Sequence, residues 1–155
     1  MTRVILPGSY DPVTLGHLEV IKRAAELYGE VHAVIFINAN KEYTFSAEER
    51  LEMLKLATEE LRNVKADYYE GFVVDYMREH GINKIIKGYR CERDLEYERL
   101  QAEYNFSHGG FETELWQAEP SMQNISSTRA REIIKSGGDL SEILPQKVIS
   151  YINNH

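Results

Sequence analysis

Cysteine is almost absent: Cys91 is the only one in 155 residues. An intramolecular disulfide and a cysteine-built zinc site are therefore excluded. Long hydrophobic runs are missing as well. No apolar stretch approaches the roughly 20 residues that span a bilayer. The opening MTRVILPGSYDP holds a three-residue apolar run, too short for a signal peptide. Basic residues are in deficit, with 18 Lys+Arg against 25 Asp+Glu and a formal net charge of -7. Such a chain is poorly suited to coating nucleic acid or an anionic membrane, so neither is expected as a partner. There is no internal repeat, no low-complexity tract and no linker. What is present is ordinary: 43% hydrophobic and 28% charged residues. That composition predicts one soluble globular domain, residues 1–155, in the cytoplasm.

Short apolar runs alternate with amphipathic stretches. Val4-Ile5-Leu6 reads as a buried strand ended by Pro7-Gly8. Leu18, Ile21, Ala25 and Tyr28 recur at spacings of three and four, one face of a helix that Gly29 ends. Val31 to Ile37 is the clearest second strand. After the loop NANKEYTF, Ser46 and Glu49 form a capping box for a helix striped by Leu51, Leu54, Thr58 and Leu61. Val64 to Tyr69 is a third strand. Val74 and Met77 mark a short helix stopped by Gly81, and Lys84 to Lys87 a fourth strand ending at Gly88. Tyr97, Leu100 and Tyr104 give a helical stripe expected in the core or a subunit interface, and Glu114 to Ala118 a fifth strand. Ser126 or Ser127 caps a helix stopped by Gly137-Gly138, and Pro145 opens the last helix. Strands and helices alternate, and the strands mostly lack polar alternation. The expected fold is α/β: a Rossmann-like doubly wound, five-stranded parallel sheet with helices on both faces. Ligands in such folds bind beyond the carboxyl ends of the strands.

The first of those strand-end loops is PGSYDPVTLGH, residues 7–17. Gly8 is expected to take a turn conformation closed to other residues. Thr14-Leu15-Gly16-His17 then enters the first helix, whose free N–H groups and partial positive charge favour phosphate. Gly16 lets a ligand approach the backbone, and His17 can donate to a phosphoryl oxygen. The loop lacks the Gly-Lys-Ser/Thr of a Walker A motif and is not a Gly-x-Gly-x-x-Gly fingerprint. A second basic feature is KIIKGYRCER, residues 84–93, with four basic residues against Glu92 in an acidic chain. Cys91 beside Arg90 lacks an evident catalytic partner. His32, His80, His108 and His155 form no metal-ligand spacing and read as structural or surface residues.

Thr14-x-Gly16-His17 after a first strand is similar to the (H/T)xGH motif of a nucleotidyltransferase superfamily. The fuller string Gly8 to His17 resembles one member, the phosphopantetheine adenylyltransferase family, with Tyr10 where that family usually has Phe. Lys41 followed by Phe45-Ser46-x-x-Glu49-Arg50 is similar to its lysine loop and following helix. Lys87-Gly88-Tyr89-Arg90 and Asp94-Leu95-Glu96-Tyr97-Glu98 resemble its Arg-Gly-Leu-Arg and Asp-Phe-Glu-Tyr-Glu segments. Asn105 and Ile125-Ser126-Ser127-Thr128 also match in order. Lys87 stands where the family usually has Arg, Met122-Gln123-Asn124 where many members carry an aromatic-containing stretch, and Val73 where a longer apolar residue is usual.

The resemblance implies adenylyl transfer from ATP to 4′-phosphopantetheine, giving dephospho-coenzyme A and pyrophosphate, in coenzyme A biosynthesis. It implies direct in-line attack, with catalysis by positioning and charge stabilisation. His17, Lys41 and Arg90 are then the catalytic candidates. ATP would engage Ser9, Tyr10, His17, Gly88, Tyr89, Arg90, Glu98 and the run Met122, Gln123, Asn124, Ile125, Ser126, Ser127 and Thr128. Phosphopantetheine would engage Ser9, Lys41, Val73 and Lys87. Magnesium would be held mainly by ATP oxygens, with no protein ligand set. A homohexamer and coenzyme A as a candidate inhibitor are further implications. Two rivals are a sibling transferase acting on nicotinamide mononucleotide or a phosphorylated alcohol, and a catalytically silent nucleotide-binding module. The Asp94-x-Glu96-Tyr97-Glu98 segment weighs against the first. The joint presence of Ser9, His17, Lys41 and Arg90 weighs against the second.

Overall fold

A computed structural model describes residues 2–37 and 40–155. Asn38 and Ala39, where the expected NANKEYTF loop begins, lie outside the described residues, as does Met1. Five strands, β1 (Arg3–Gly8), β2 (Glu30–Phe36), β3 (Val64–Tyr69), β4 (Lys84–Tyr89) and β5 (Glu112–Gln117), form one sheet in the order β3-β2-β1-β4-β5. All four pairings are parallel, with Ile5 opposite His32 on β2 and Ile85 on β4. Helices α1 (Leu15–Leu27), α2 (Ala47–Thr58), α3 (Val73–His80), α4 (Glu92–Gly109), α5 (Ser127–Ser136) and α6 (Gln146–Asn153) connect and follow the strands. This is the doubly wound Rossmann-like sheet expected.

Side chains alternate across a strand, so each strand feeds two cores. Val4, Leu6, Val31, Ala33, Ile35 and Ile86 face one layer, with Ile21 of α1, Leu54 of α2, Ala130 of α5 and Val148 of α6. Ile5, Val34 and Ile85 face the other, with Tyr76 and Met77 of α3. The chain runs to one side of β1 through β2 and β3, then crosses to the other side through β4 and β5. That reversal opens a crevice between the carboxyl ends of β1 and β4.

Several local expectations shift. Helix α1 stops at Leu27, and Tyr28 is already extended as its C-cap, one residue before Gly29. The buried face of α2 is Arg50, Met53, Leu54 and Thr58; Leu51 sits at its margin, and Leu61 falls beyond the helix, which ends at Thr58. β4 runs through Gly88 to Tyr89. There a Cβ on Gly88 would lie 3.0 Å from Val20, so glycine allows helix α1 to pack close to the strand. Pro145 is the N-cap of α6 rather than its first helical residue. Tyr97, Leu100 and Tyr104 are not in this chain's core; they are 61%, 64% and 40% exposed on α4. The Ser46 capping box forms as expected, Ser46 Oγ accepting from Glu49 N–H at 3.1 Å and Ser46 N–H donating to Glu49 Oε1 at 2.9 Å.

Candidate active site

The crevice at the switch point is a cavity of about 420 Å³. Its floor is the ends of β1 and β4, through Leu6, Pro7, Ile86, Lys87 and Gly88. Two helix N-termini meet there: α1 brings Thr14, Gly16 and His17, and α5 brings Ser126, Ser127 and Thr128. At α1 the Leu15 and His17 N–H groups are already bonded, to the Ile143 carbonyl and to Thr14 Oγ1, so the pull on an anion comes from the partial positive charge of the two helix ends. A smaller hollow of about 250 Å³ shares His17, Lys41, Lys87, Ser127 and Thr128 and adds Ser9, Asp11, Tyr43 and Arg131.

His17 is the most constrained of these residues. It is the third residue of α1, and Thr14 caps the helix. Thr14 Oγ1 accepts from His17 N–H at 3.2 Å, while Thr14 N–H donates to His17 Nδ1 at 3.0 Å. A ring nitrogen that accepts a backbone N–H carries no proton, so in the neutral ring the proton is on Nε2. Burial first, and then the charges of Lys87 and Arg90, depress the His17 pKa from 6.5 to about 4. At neutral pH the ring is an uncharged Nε2–H donor at the cavity.

The loop that carries Ser9 bends at Tyr10, not at Gly8. Tyr10 has φ 47, while a Cβ on Gly8 would lie 3.3 Å from the Tyr10 ring, so Gly8 makes room for that ring. The ring is 4% exposed, lies 4.9 Å from the His17 ring, and its hydroxyl donates to the Leu6 carbonyl at 2.8 Å. The hydroxyl that distinguishes Tyr10 from the family's usual Phe is thus satisfied internally, and burial pushes its pKa up.

The basic segment 84–93 divides. Lys87 and Arg90 line the cavity, whereas Lys84 pairs with Glu114 at the opposite end of β4 and Arg93 is exposed. Lys87 Nζ donates to the Pro7 carbonyl at 2.9 Å and lies 3.3 Å from Glu98 Oε2. That Glu98 oxygen is buried and has no hydrogen-bond partner in the described structure. Arg90 is held by Asp94, with its Nε and backbone N–H both donating to Oδ2, at 2.9 and 3.1 Å. Lys41 is exposed and reaches both hollows, its Nζ 5.5 Å from the Tyr43 ring.

Most predicted residues therefore converge: Tyr10, His17, Lys41, Lys87, Gly88, Tyr89, Arg90, Glu98, Met122, Ile125, Ser126, Ser127 and Thr128 line the larger cavity, and Ser9 the smaller. Val73, Gln123 and Asn124 line neither. Val73 packs on the second core layer, and the exposed apolar side chain at that turn is Phe72. Gln123 Nε2 donates to the Ala118 carbonyl, and the Asn124 carbonyl accepts from Arg129. Sequence reading missed Asp11 and Arg131. Arg131 donates to the Asp11 carbonyl at 2.8 Å and to Thr128 Oγ1 at 3.1 Å. Its place three residues after Thr128, on the same helix face, was the available signal.

A family model described as cytidylyltransferase-like matches residues 5–133. A protein of Corynebacterium diphtheriae named phosphopantetheine adenylyltransferase is 42% identical over 153 residues, 98% of this chain and 96% of its own. A protein of the same name from Thermobifida fusca is 40% identical over 148 residues, 96% and 90% of the two chains. The chain belongs to the phosphopantetheine adenylyltransferase family. In this family, which is one of nucleotidyltransferases, the TxGH turn, the β4 end and the α5 N-terminus of this chain bound a single cavity. Among the described residues no group of three or more His, Cys, Asp or Glu could hold a metal, and no helix is long and apolar enough to cross a membrane.

Proposed function

We propose that the chain, acting as one domain over residues 1–155, transfers the adenylyl group of ATP to 4′-phosphopantetheine. A phosphate oxygen of phosphopantetheine attacks the α-phosphorus as the bond to the β-phosphate oxygen breaks, leaving dephospho-coenzyme A and pyrophosphate. A phosphate nucleophile needs no general base at neutral pH, and the His17 ring does not act as one: its Nδ1 is taken by the Thr14 N–H and its proton is on Nε2. The observation that carries this reading is His17, a neutral Nε2–H donor between two helix N-termini. It donates to an α-phosphate oxygen as charge develops there.

The other roles follow from position. Lys41, Lys87 and Ser9 hold the attacking phosphate over the smaller hollow. Arg90 and the α5 end, with Ser126, Ser127 and Thr128, hold the β- and γ-phosphates. Gly88 and Tyr89 form the adjoining wall at the end of β4, with Tyr10 behind His17. Met122 and Ile125 give the adenine an apolar wall, supported from behind by Gln123 and Asn124, and Glu98 accepts from a substrate N–H or O–H. The pantetheine arm runs towards the start of α3, where Val73 backs the exposed Phe72. Magnesium enters with ATP, whose phosphate oxygens hold it and whose charge it partly neutralises. The exposed stripe Tyr97, Leu100 and Tyr104 suits a subunit face of a homohexamer. The reaction belongs in the cytoplasm, with coenzyme A as a candidate inhibitor.

The test is pyrophosphate release from MgATP with 4′-phosphopantetheine, beside nicotinamide mononucleotide as control acceptor. Release that depends on phosphopantetheine, with dephospho-coenzyme A formed, is expected. Release only with the control acceptor, or with neither, overturns the reading.

A further inference from the structure

Arg50 carries a charge in the wrong place for an ordinary arginine. It lies on α2, outside both hollows, and is only 2% exposed. Among the described residues no carboxylate pairs with it. Its Nε donates to the Phe45 carbonyl at 3.1 Å and its Nη1 to the Ser9 carbonyl at 3.0 Å. Its guanidinium carbon sits 3.9 Å over the Tyr43 ring. Burying a cation without an anion is costly, and two carbonyls and a π-face offset only part of that cost. Hydrophobic residues of similar volume would pack α2 without the penalty.

The contacts say what the arginine supplies. Ser9 is in the loop after β1, Phe45 in the loop after β2, and one planar fork ties both. The preceding two peptides are fixed as well, since Asp11 accepts from Phe45 N–H at 3.0 Å and from Thr44 N–H at 2.9 Å. Tyr43 lies between: Lys41 Nζ is 5.5 Å from its ring, and the Arg50 guanidinium carbon sits over the same ring. Lys41 hangs from this segment, four residues before Phe45. The segment that carries Lys41 is thus tied to the Ser9–His17 loop twice, directly by Asp11 and through the Arg50 fork.

We propose that Arg50 is a positioning residue for the reaction: it clamps the Lys41 loop onto the Ser9 loop and so sets the width of the hollow that takes the attacking phosphate. It touches no substrate. This inference rests on the function proposed above. A lysine in its place keeps the charge but loses the fork that spans two carbonyls. Arg50→Lys raises the KM for the phosphate acceptor about tenfold and leaves the KM for ATP within about twofold. Its circular dichroism matches the parent. In a Lys41→Ala background the same change raises the acceptor KM by less than about twofold further, because the two residues act through one contact. Arg50→Gln, which is neutral and too short to span both carbonyls, moves the acceptor KM in the same direction and serves if Arg50→Lys fails to fold.

The parent enzyme's turnover separates the two claims. A parent that is inactive with phosphopantetheine refutes the proposed function. An active parent, with a folded Arg50→Lys whose acceptor KM is unchanged, overturns the positioning role. A tenfold rise that persists undiminished in the Lys41→Ala background also overturns it.

Discussion

Helices α1 and α2 begin with the same device. In each, a hydroxyl at the cap accepts the N–H of the third helical residue, whose side chain in turn accepts the N–H of the cap. In α2 the pair is Ser46 and Glu49, on the surface; in α1 it is Thr14 and His17, at the mouth of the cavity. A carboxylate used this way is spent on the helix. An imidazole has a second nitrogen, and the cap decides that this nitrogen holds the proton. The same local hydrogen bonds therefore stabilise one helix and prepare a catalytic donor on the other.

The comparison breaks most sharply at His17. His17→Ala should lower kcat by about 10²–10³-fold with little change in KM, since its bond strengthens in the transition state. Steady-state kinetics on the folded variant check this, and near-normal turnover removes His17 from the chemistry. Arg90→Ala comes next. It should raise the KM for ATP about tenfold or more, as a charge-assisted phosphate contact is lost. Unchanged ATP binding by calorimetry would take Arg90 out of the site.

A smaller effect separates the caps themselves. Thr14→Ala and Ser46→Ala should each cost about 1 kcal/mol of stability, or roughly 2–4 °C in melting temperature for a chain of this size. Only Thr14→Ala should also lower kcat, by several-fold, because only its partner faces substrate. Equal kinetics in the two variants would erase the distinction.

Acid adds a further test. The His17 pKa falls from 6.5 to about 4 on folding, so below pH 6.5 the unfolded chain binds the proton more readily. The contribution is fully present above pH 6.5 and is lost as pH falls towards 4, at most about 3 kcal/mol and less for a half-buried ring that water reaches. Denaturant titrations across that range should show the parent losing stability relative to His17→Gln as pH falls.

The sheet was legible because its central strands announce themselves. β2 is apolar almost throughout, buried on both faces, and runs of that kind have few other homes. The Ser46 box was legible because Glu is a usual third residue. The Thr14 box was not, since histidine in that position is read first as chemistry. Arg50 was also hidden. A helical wheel treats arginine as a marker of the solvent face, and here it lies inside with Met53 and Leu54. Tyr97, Leu100 and Tyr104 were legible only as an apolar stripe in the core or at a subunit interface, and the fold of one chain leaves them uncovered, which removes the core. Val73 and Phe72 show the limit of alignment by motif. Adjacent residues at the start of a helix face different ways, and only the packed structure says which of them is exposed.

The most direct test is a long-range nitrogen–proton spectrum of the histidine rings at pH 7, with the His17 signals assigned by their loss in His17→Gln. The account predicts a neutral ring protonated at Nε2, bare at Nδ1, and titrating near pH 4. A ring protonated at Nδ1, or an imidazolium titrating near 6.5, would contradict it.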